Sequence, residues 1–399
     1  MNFIKKAYCR VFQTCLWISL PVLPYREPEI LGSMRLIPET IKSKNLTHPI
    51  IITDKGIMSL GLVNPLIDAL NQAKMPYSLY DGTVANPTTQ NVAEALELYK
   101  KDKCDCIIGF GGGSSMDCAK ALGARYARPN KSLNKMKGIL KVRKRIPLLI
   151  AVPTTAGIGS ETTLAAVIVD SETRHKYAIN DFPLIPKYAV LDPETTLSLP
   201  KSITASTGMD ALTHAVEAYI GRSTTKQTRQ EALKAVKLIF ENLDTAYSDG
   251  SNIEARRNML TASYYAGCAF TKSYVGYVHA VAHSLGGEYN VPHGLANAIL
   301  LPHVLEAYGH RTDKKLHNLA IAANLATAEA PDEEAAKAFI QAIKDMKVRY
   351  NIGDKIPEIK KEDIPKLARH ADKEGNPLYP VPVLMDAQEL ERFYYEVME

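Results

Sequence analysis

Two stretches of this chain bring together residue types that can bind a divalent metal. The first, TGMDALTHAVEAY (207–219), sets Asp210 and His214 four residues apart. The second, HAVAHSLGGEYNVPHG (279–294), sets His279 and His283 four apart, with His293 ten further on. A spacing of four puts two side chains on one helical face. One carboxylate and two or three imidazoles, offered from two helices, suit Fe(II) or Zn(II). A lone histidine on an apolar helix is more often a core or capping residue than a ligand. Two such pairs, with a third histidine between Pro292 and Gly294, outweigh that blander reading. Thr207 is expected to cap the first helix, and Gly286 and Gly287 to end the second. The loop that follows would fold His293 back toward the same metal.

The elements that must position these residues change character along the chain. From about residue 28, short apolar runs alternate with amphipathic stretches. PIIITD (49–54), MPYSLYDG (75–82), CDCIIGF (104–110) and IPLLIAVPTT (146–155) read as strands. Helical patterns occupy 59–73, 91–103 and the stretch SMDCAKALGARYA (115–127). This alternation predicts an α/β domain with a mainly parallel sheet. After Leu199-Pro200 almost every segment has helical period. Three parts are expected: an N-terminal amphipathic extension over 1–27, an α/β cofactor-binding domain over 28–200, and an all-helical metal-binding domain over 201–399.

Within the first domain, Gly111, Gly112 and Gly113 follow a strand and precede a helix. Glycines there let the backbone approach a ligand, and the free N–H groups of the helix favour phosphate. Ser114 and Asp117 have the S-x-x-D spacing of a capping box. The pattern is not the G-x-G-x-x-G of the common dinucleotide fold, and a glycine triplet alone could be only a tight βα turn. PTTAGIGSE (153–161) is a second small, hydroxyl-rich loop after a strand, and two such loops point to a nucleotide. Asp54, ending the first strand, can accept from a ribose hydroxyl and repel a 2′-phosphate; its alternative role is a helix or turn cap.

Bulk properties narrow the field. With 399 residues, 46% of them hydrophobic, and a net charge of +5, the chain can bury two cores and nothing global demands nucleic acid. The basic run KSLNKMKGILKVRKR (131–145) reads as a solvated loop. Six cysteines at 9, 15, 104, 106, 118 and 268 show no paired spacing, which fits a reducing, cytoplasmic setting. Cys104 and Cys106 are expected as strand core residues. No apolar run is long enough to cross a bilayer. The N-terminal segment resembles a weak signal peptide without a cleavage site. Ile4, Tyr8, Val11, Phe12, Cys15 and Leu16 fit one helical face, expected to pack on the body or on a partner subunit, so a membrane partner is not expected; attachment to a membrane surface is the alternative.

In order and spacing, TDKG, DGTVANPT, GGGSSMDCAK, PTTAGIGSE, TGMDALTHAVEAY and AHSLGGEYNVPHGLANAILLPHV resemble the iron-containing (group III) alcohol dehydrogenases over roughly residues 30–395. The resemblance implies an N-terminal α/β domain binding NAD(P), a helical domain holding the metal, a cleft between them, and a homodimer or higher homo-oligomer. It implies metal ligands at Asp210, His214, His279 and His293, with iron as the metal and zinc as the alternative. His283 would stand beside the site as a proton relay. The dinucleotide would meet Asp54, Asn86, the turn of Gly112, Gly113, Ser114, Ser115 and Asp117, then Thr154, Thr155 and Ile158, and finally Lys176 and Thr196. Asp54 implies NAD over NADP. Ile158 replaces the family's usual threonine and removes one hydroxyl contact. The N-terminal extension is not explained by the resemblance.

The activity so implied is hydride transfer between NAD(H) and a short- to medium-chain primary alcohol or aldehyde. Alternatives are glycerol, polyol or lactaldehyde-type oxidoreduction, a carbon–oxygen lyase like 3-dehydroquinate synthase, and a binding protein on an old enzyme fold. The lyase would need several cleft lysines and arginines, and apart from Lys176 the motifs carry none. An intact ligand set with both cofactor loops argues against the binding protein.

Overall fold

The computed structural model describes residues 1–399, which divide into two compact units. One is Pro24–Ser198; the other joins Met1–Leu23 to Leu199–Glu399. The chain begins with helix α1 (Phe3–Ser19), which thus belongs with the helical unit.

The Pro24–Ser198 unit is built on a six-stranded, all-parallel sheet. Its strands are β1 (Glu29–Leu31), β2 (Pro49–Ile52), β3 (Ser78–Tyr80), β4 (Cys106–Gly111), β6 (Leu148–Pro153) and β9 (Tyr188–Val190), in the order β1-β9-β6-β4-β2-β3. A small second sheet takes β5 (Gly138–Ile139), β7 (Ala165–Val169) and β8 (Lys176–Asn180), ordered β5-β8-β7 with β7 and β8 antiparallel. Strand β2 and strand β4 are buried along their whole length, as expected of parallel strands covered on both faces. The pleat alternates their side chains. Ile50, Ile52 and Ile107 join one core with Val92, Ala95 and Leu122. Ile51, Ile108 and Ile150 join the other with Ile37, Leu66 and Leu70.

The crossover helices are α2 (Ile37–Ser43), α3 (Lys55–Ser59), α4 (Asn64–Gln72), α5 (Thr89–Lys101) and α6 (Gly113–Ala127). The single helix expected over 59–73 is broken, because Gly61 adopts a φ of 68° and Pro65 opens the second piece. Cys104 lies just before β4 rather than in it, although both it and Cys106 are buried.

The second unit holds α7 (Lys201–Ile220), α8 (Lys226–Ser248), α9 (Ile253–Ser273), α10 (Tyr277–Tyr289), α11 (His293–Tyr308), α12 (Asp313–Ala322), α13 (Asp332–Arg349), α14 (Ile364–Gly375) and α15 (Ala387–Val397). Helix α7 is buried on almost every side, packed among α8, α9 and α11. A helix apolar all round belongs in the middle of a bundle, so Asp210 and His214 sit at its centre.

Helix α1 packs on the body, but by the face opposite to the one its apolar spacing suggested. Cys9 and Gln13 are buried, while Ile4 is 79%, Tyr8 59% and Val11 64% exposed. The reason lies in its polar side chains, whose partners are on the body: Arg10 donates to the carbonyls of Val381 and Pro382, and Gln13 to that of Tyr379.

Candidate functional site

Helix α7 presents Asp210 and His214, α10 presents His279 and His283, and α11 opens with His293. Three local expectations fail here. Thr207 does not cap α7; the helix already starts after Pro200, and the Thr207 hydroxyl donates back to Ile203 O at 2.7 Å. Proline at the boundary starts a helix at no hydrogen-bond cost. Gly286 and Gly287 do not end α10, which runs on to Tyr289 and stops where Asn290 takes left-handed φ 56°, a conformation asparagine tolerates. His293 is therefore not in a returning loop but is the first residue of α11.

The four expected ligands nevertheless converge. One donor atom each from Asp210, His214, His279 and His293 lie within 4.8 Å of one another. Asp210, His214 and His279 are buried and His293 is partly so. Three imidazole nitrogens and one carboxylate oxygen in a closed cluster fit a divalent transition metal. Burial raises the Asp210 carboxyl despite the opposing His214 and the Asn297 amide. It also drives His279 well below its ordinary value, with the other histidines adding to the effect. A neutral imidazole is the form that ligates.

Close approach of α11 to α7 requires a glycine. A Cβ on Gly294 would stand 2.5 Å from Ser206 O and 3.2 Å from Asp210 Cβ.

A second layer, not foreseen from the sequence, orients the ligands. Glu217 is fully buried and takes three N–H groups: Gly276 N at 2.8 Å, Val278 N at 2.8 Å and His279 Nδ1 at 2.6 Å. That bond fixes the proton on Nδ1 and leaves Nε2 for a metal. Burial pushes Glu217 up to about 7, and the backbone N–H groups of Gly276, Val278 and His279 pull it down. Asn297 Nδ2 donates to Asp210 Oδ1 at 2.7 Å and lies 3.1 Å from both His279 Nε2 and His293 Nε2. The signal for Glu217 was present in the sequence: Asp210, His214 and Glu217 stand at i, i+4 and i+7 on one helix.

His283 stands outside the donor cluster, its ring 5.1 Å from that of His293. Its Nδ1 is 2.6 Å from Glu374 Oε1, and Tyr379 OH donates to the same oxygen at 2.7 Å. Burial alone would raise Glu374, but the charge and hydrogen bond of His283, with the tyrosine hydroxyl, outweigh it and hold the carboxyl below its usual range.

In the Pro24–Ser198 unit, β4 runs into α6 through Gly111, whose φ is 145° and whose added Cβ would fall 2.6 Å from Ser115 Oγ. The expected capping box does not form: α6 starts at Gly113 with Gly112 as its cap, and no side chain satisfies its first N–H groups. They are left for a ligand. Ser114 Oγ instead accepts from Asn86 N at 3.3 Å, and Asn86 Oδ1 accepts from Lys176 Nζ at 2.6 Å. Asp54 caps α3 through Ile57 N at 3.0 Å and meets Ser115 Oγ at 3.4 Å. Ile158 packs 3.5 Å from where a Cβ on Gly113 would be. Thr154 N donates to Gly111 O at 3.1 Å, and Thr155 follows it past the end of β6.

Asp117 accepts from Ser160 Oγ at 3.5 Å. Buried Lys120 ties the same loop down through Ser160 O at 2.7 Å and Thr163 Oγ1 at 2.8 Å. Thr196 is buried, with its hydroxyl bonded to Pro193 O at 3.0 Å. Asp54, Asn86, Gly113, Ser114, Ser115, Ile158 and Lys176 thus surround one turn, while Thr196 spends its polar group locally.

A glycine turn with free helix N–H groups on a parallel sheet, and a carboxylate–imidazole cluster in a helical unit, are the working parts of a metal-dependent oxidoreductase. Residues 31–193 match the family model for iron-containing alcohol dehydrogenase, and 204–398 match the C-terminal model of the Fe-containing alcohol dehydrogenase family. Alcohol dehydrogenase 4 of Schizosaccharomyces pombe is 39% identical over 356 residues, covering 88% of this chain and 83% of that protein. The 1,3-propanediol dehydrogenase of Citrobacter freundii is 38% identical over 349 residues, 86% of this chain and 90% of the relative. Among solved structures, an alcohol dehydrogenase from Oenococcus oeni superposes with a TM-score of 0.88 at 34% identity, covering 94% of this chain and 100% of that one. A sulfoacetaldehyde reductase from Bifidobacterium kashiwanohense, in complex with NAD+, gives 0.82 at 29% identity, covering 94% and 98%. The chain belongs to the iron-containing alcohol dehydrogenase family, NAD-dependent oxidoreductases of alcohols and aldehydes.

Proposed function

We propose that this chain is a cytoplasmic, homo-oligomeric dehydrogenase that interconverts a short- to medium-chain primary alcohol and its aldehyde, with NAD as hydride carrier and Fe(2+) at its metal centre. The observation that carries the reading is the convergence of Asp210, His214, His279 and His293, with Glu217 fixing the tautomer of His279. Zn(2+) suits the same donors, and it is the family that favours iron.

When bound, the metal supplies Lewis acidity at the substrate oxygen, and NAD accepts or returns the hydride. The chain's own residues do the rest. Asp210 offsets part of the cation's charge. Glu217 and Asn297 hold the ligands in place. His283, braced at Nδ1 by Glu374 beside the donor cluster, carries the alcohol proton, work that suits an imidazole near neutral pH. The α6 N-terminus with Gly112, Gly113, Ser114 and Ser115 takes the pyrophosphate, and Asp54 takes the ribose and disfavours a 2′-phosphate. Asn86, Asp117, Thr154, Thr155, Lys176 and Thr196 complete the dinucleotide site, and Ile158 gives it an apolar wall.

The test is metal content of anaerobically purified protein combined with NADH formation over a panel of primary alcohols and diols. About one iron per chain with NAD-linked turnover is expected. His279→Ala should lose metal and turnover together; full metal content in that variant would overturn the ligand assignment.

A further inference from the structure

Helix α1, which the family resemblance leaves unexplained, holds the segment that braces His283. Lys5, Cys9 and Gln13 stand four apart on one helical face, with Arg10 three before Gln13. Cys9 and Gln13 are buried, so this is the face that meets the body. What it meets is the chain that follows α14, residues 376–382. That stretch has no regular element before α15 and carries Pro377, Pro380 and Pro382. Proline donates nothing and an irregular segment has no ladder, so its carbonyls need partners from elsewhere. Helix α1 supplies them. Gln13 Nε2 donates to Tyr379 O at 2.7 Å and to Pro377 O at 3.2 Å. Arg10 donates to Val381 O at 2.8 Å and Pro382 O at 2.9 Å. Arg10 also donates to Gln13 Oε1 at 2.8 Å, which fixes the direction of the amide.

The same segment reaches the proton relay. Tyr379 is buried, and its hydroxyl donates to Glu374 Oε1 at 2.7 Å. That oxygen is the one 2.6 Å from His283 Nδ1. The Tyr379 backbone is fixed at its N–H by Gly375 O at 2.7 Å and at its carbonyl by Gln13. Tyr379 O also accepts from Val381 N at 2.8 Å, but that bond lies within the segment and does not tie it to another element. On the other side of Glu374, Lys5 bridges Asp372 at 2.7 Å, and Asp372 Oδ1 accepts from Asn376 Nδ2 at 2.7 Å. Helix α1 thus holds the chain both before Glu374 and after it. Tyr277, the first residue of the helix that carries His283, meets Asn376 Oδ1 at 2.9 Å. Direct contacts therefore run from Gln13 through Tyr379 and Glu374 to His283.

We infer that Gln13, with Arg10, is a positioning residue for proton transfer: from α1 it holds Tyr379 and Glu374 so that the imidazole of His283 keeps its place beside the metal ligands. The inference rests on the reading of His283 as the proton relay. Small displacements of a proton carrier are costly because transfer needs hydrogen-bond reach and alignment. Without the Gln13 amide, the Tyr379 carbonyl keeps only its partner inside the segment, which is then free to shift and to carry the hydroxyl with it. A helix that served stability alone would weaken the fold when loosened anywhere along its length. A positioning helix acts on turnover, and only through the residues that touch 376–382.

The experiment uses the full-length, metal-loaded enzyme and NAD-linked oxidation of a primary alcohol. Gln13→Met keeps the length of the side chain and removes its donors and its acceptor. Its kcat should fall about three- to fivefold, with metal content unchanged and the KM for NAD within about twofold of wild type. Arg10→Lys is a milder variant that loses the forked donor geometry, and it should lower kcat in the same way even where Gln13→Met does not fold. Trp17→Phe loosens the same helix elsewhere, by removing the bond from Trp17 Nε1 to Thr224 O, and should leave kcat unchanged. The double variant Gln13→Met/His283→Ala decides the matter. With the relay gone it should turn over no more slowly than His283→Ala alone. A full additive loss in the double variant, an equal fall in Trp17→Phe, or an unchanged kcat in both Gln13→Met and Arg10→Lys overturns the inference. An unchanged kcat in His283→Ala alone is a different result: it removes the relay reading itself, and the inference with it.

Discussion

Replacing Glu217 by glutamine removes no volume, yet the geometry makes it costly. One carboxylate oxygen, Oε2, takes both Gly276 N and His279 Nδ1, and the other, Oε1, takes Val278 N. Glutamine keeps one acceptor oxygen and puts an NH2 in place of the other. If the oxygen stays toward His279, the NH2 faces the Val278 N–H, and a buried donor loses its partner at a cost of about 1–3 kcal/mol. If the side chain turns over, the NH2 faces Gly276 N and donates to His279 Nδ1, which forces the imidazole proton onto Nε2, where a metal should bind.

Either way the metal is held less well, by about 10–100-fold. At fixed metal concentration above Kd, that removes about 1.4–2.7 kcal/mol of the stabilisation the metal confers. Two readings separate the effects. The thermal midpoint of metal-free Glu217→Gln should fall by an amount matching the lost donor, and the further rise on adding Fe(II) or Zn(II) should shrink. Chelator competition then gives the affinity change itself. A variant that binds either metal within about threefold of wild type, with an unchanged metal-free midpoint, would refute the claim that Glu217 sets the His279 tautomer.

Other perturbations follow from the same geometry. His283→Ala should keep its metal and lose about 10²–10⁴ in kcat, and Glu374→Gln, which only loosens the imidazole, should keep metal and lose about tenfold or less; metal analysis with steady-state kinetics checks both. Gly294→Ala drives a Cβ into Ser206 O and should release metal to a chelator faster than wild type, because α11 must move away from Asp210. Asp54→Ser should raise the kcat/KM for NADP relative to NAD while serine still caps α3, so thermal stability should change by only about a few tenths of a kcal/mol. Burial pushes Glu161 up to about 7. The folded chain therefore holds this proton more tightly than the unfolded one, and stability from this group declines as pH rises from about 4.5 to 7. Glu161→Gln should flatten that decline, with a gain of about 1–3 kcal/mol at pH 8 and little at pH 5. Parallel thermal-midpoint curves for the two proteins would refute it.

What could be read from the sequence was what depends on short-range pattern. The strand runs of β2, β4 and β6 are continuously apolar because both faces of a parallel sheet are covered. The ligand pairs Asp210–His214 and His279–His283 were legible because spacing of four is a property of one helix. Partners distant in sequence left no such mark. Glu374 lies 91 residues from the histidine it braces, and no local pattern links them. Ser114 and Asp117 have the spacing of a capping box, but Gly112 can cap without a side chain, and both residues turn to distant partners, Asn86 and Ser160.

Helix α1 shows the limit most sharply, since its period was read correctly and its burial was not. Periodicity says which residues share a face; it does not say which face has partners. Gln13 and Arg10 found carbonyls at Tyr379, Val381 and Pro382, in a stretch that opens with the cis Asn376-Pro377 bond. Once those bonds hold the polar face, the apolar face has nowhere to point but outward. Amphipathicity therefore marks the two sides of a helix without assigning them, and the assignment rests with whichever side meets donors and acceptors it can satisfy.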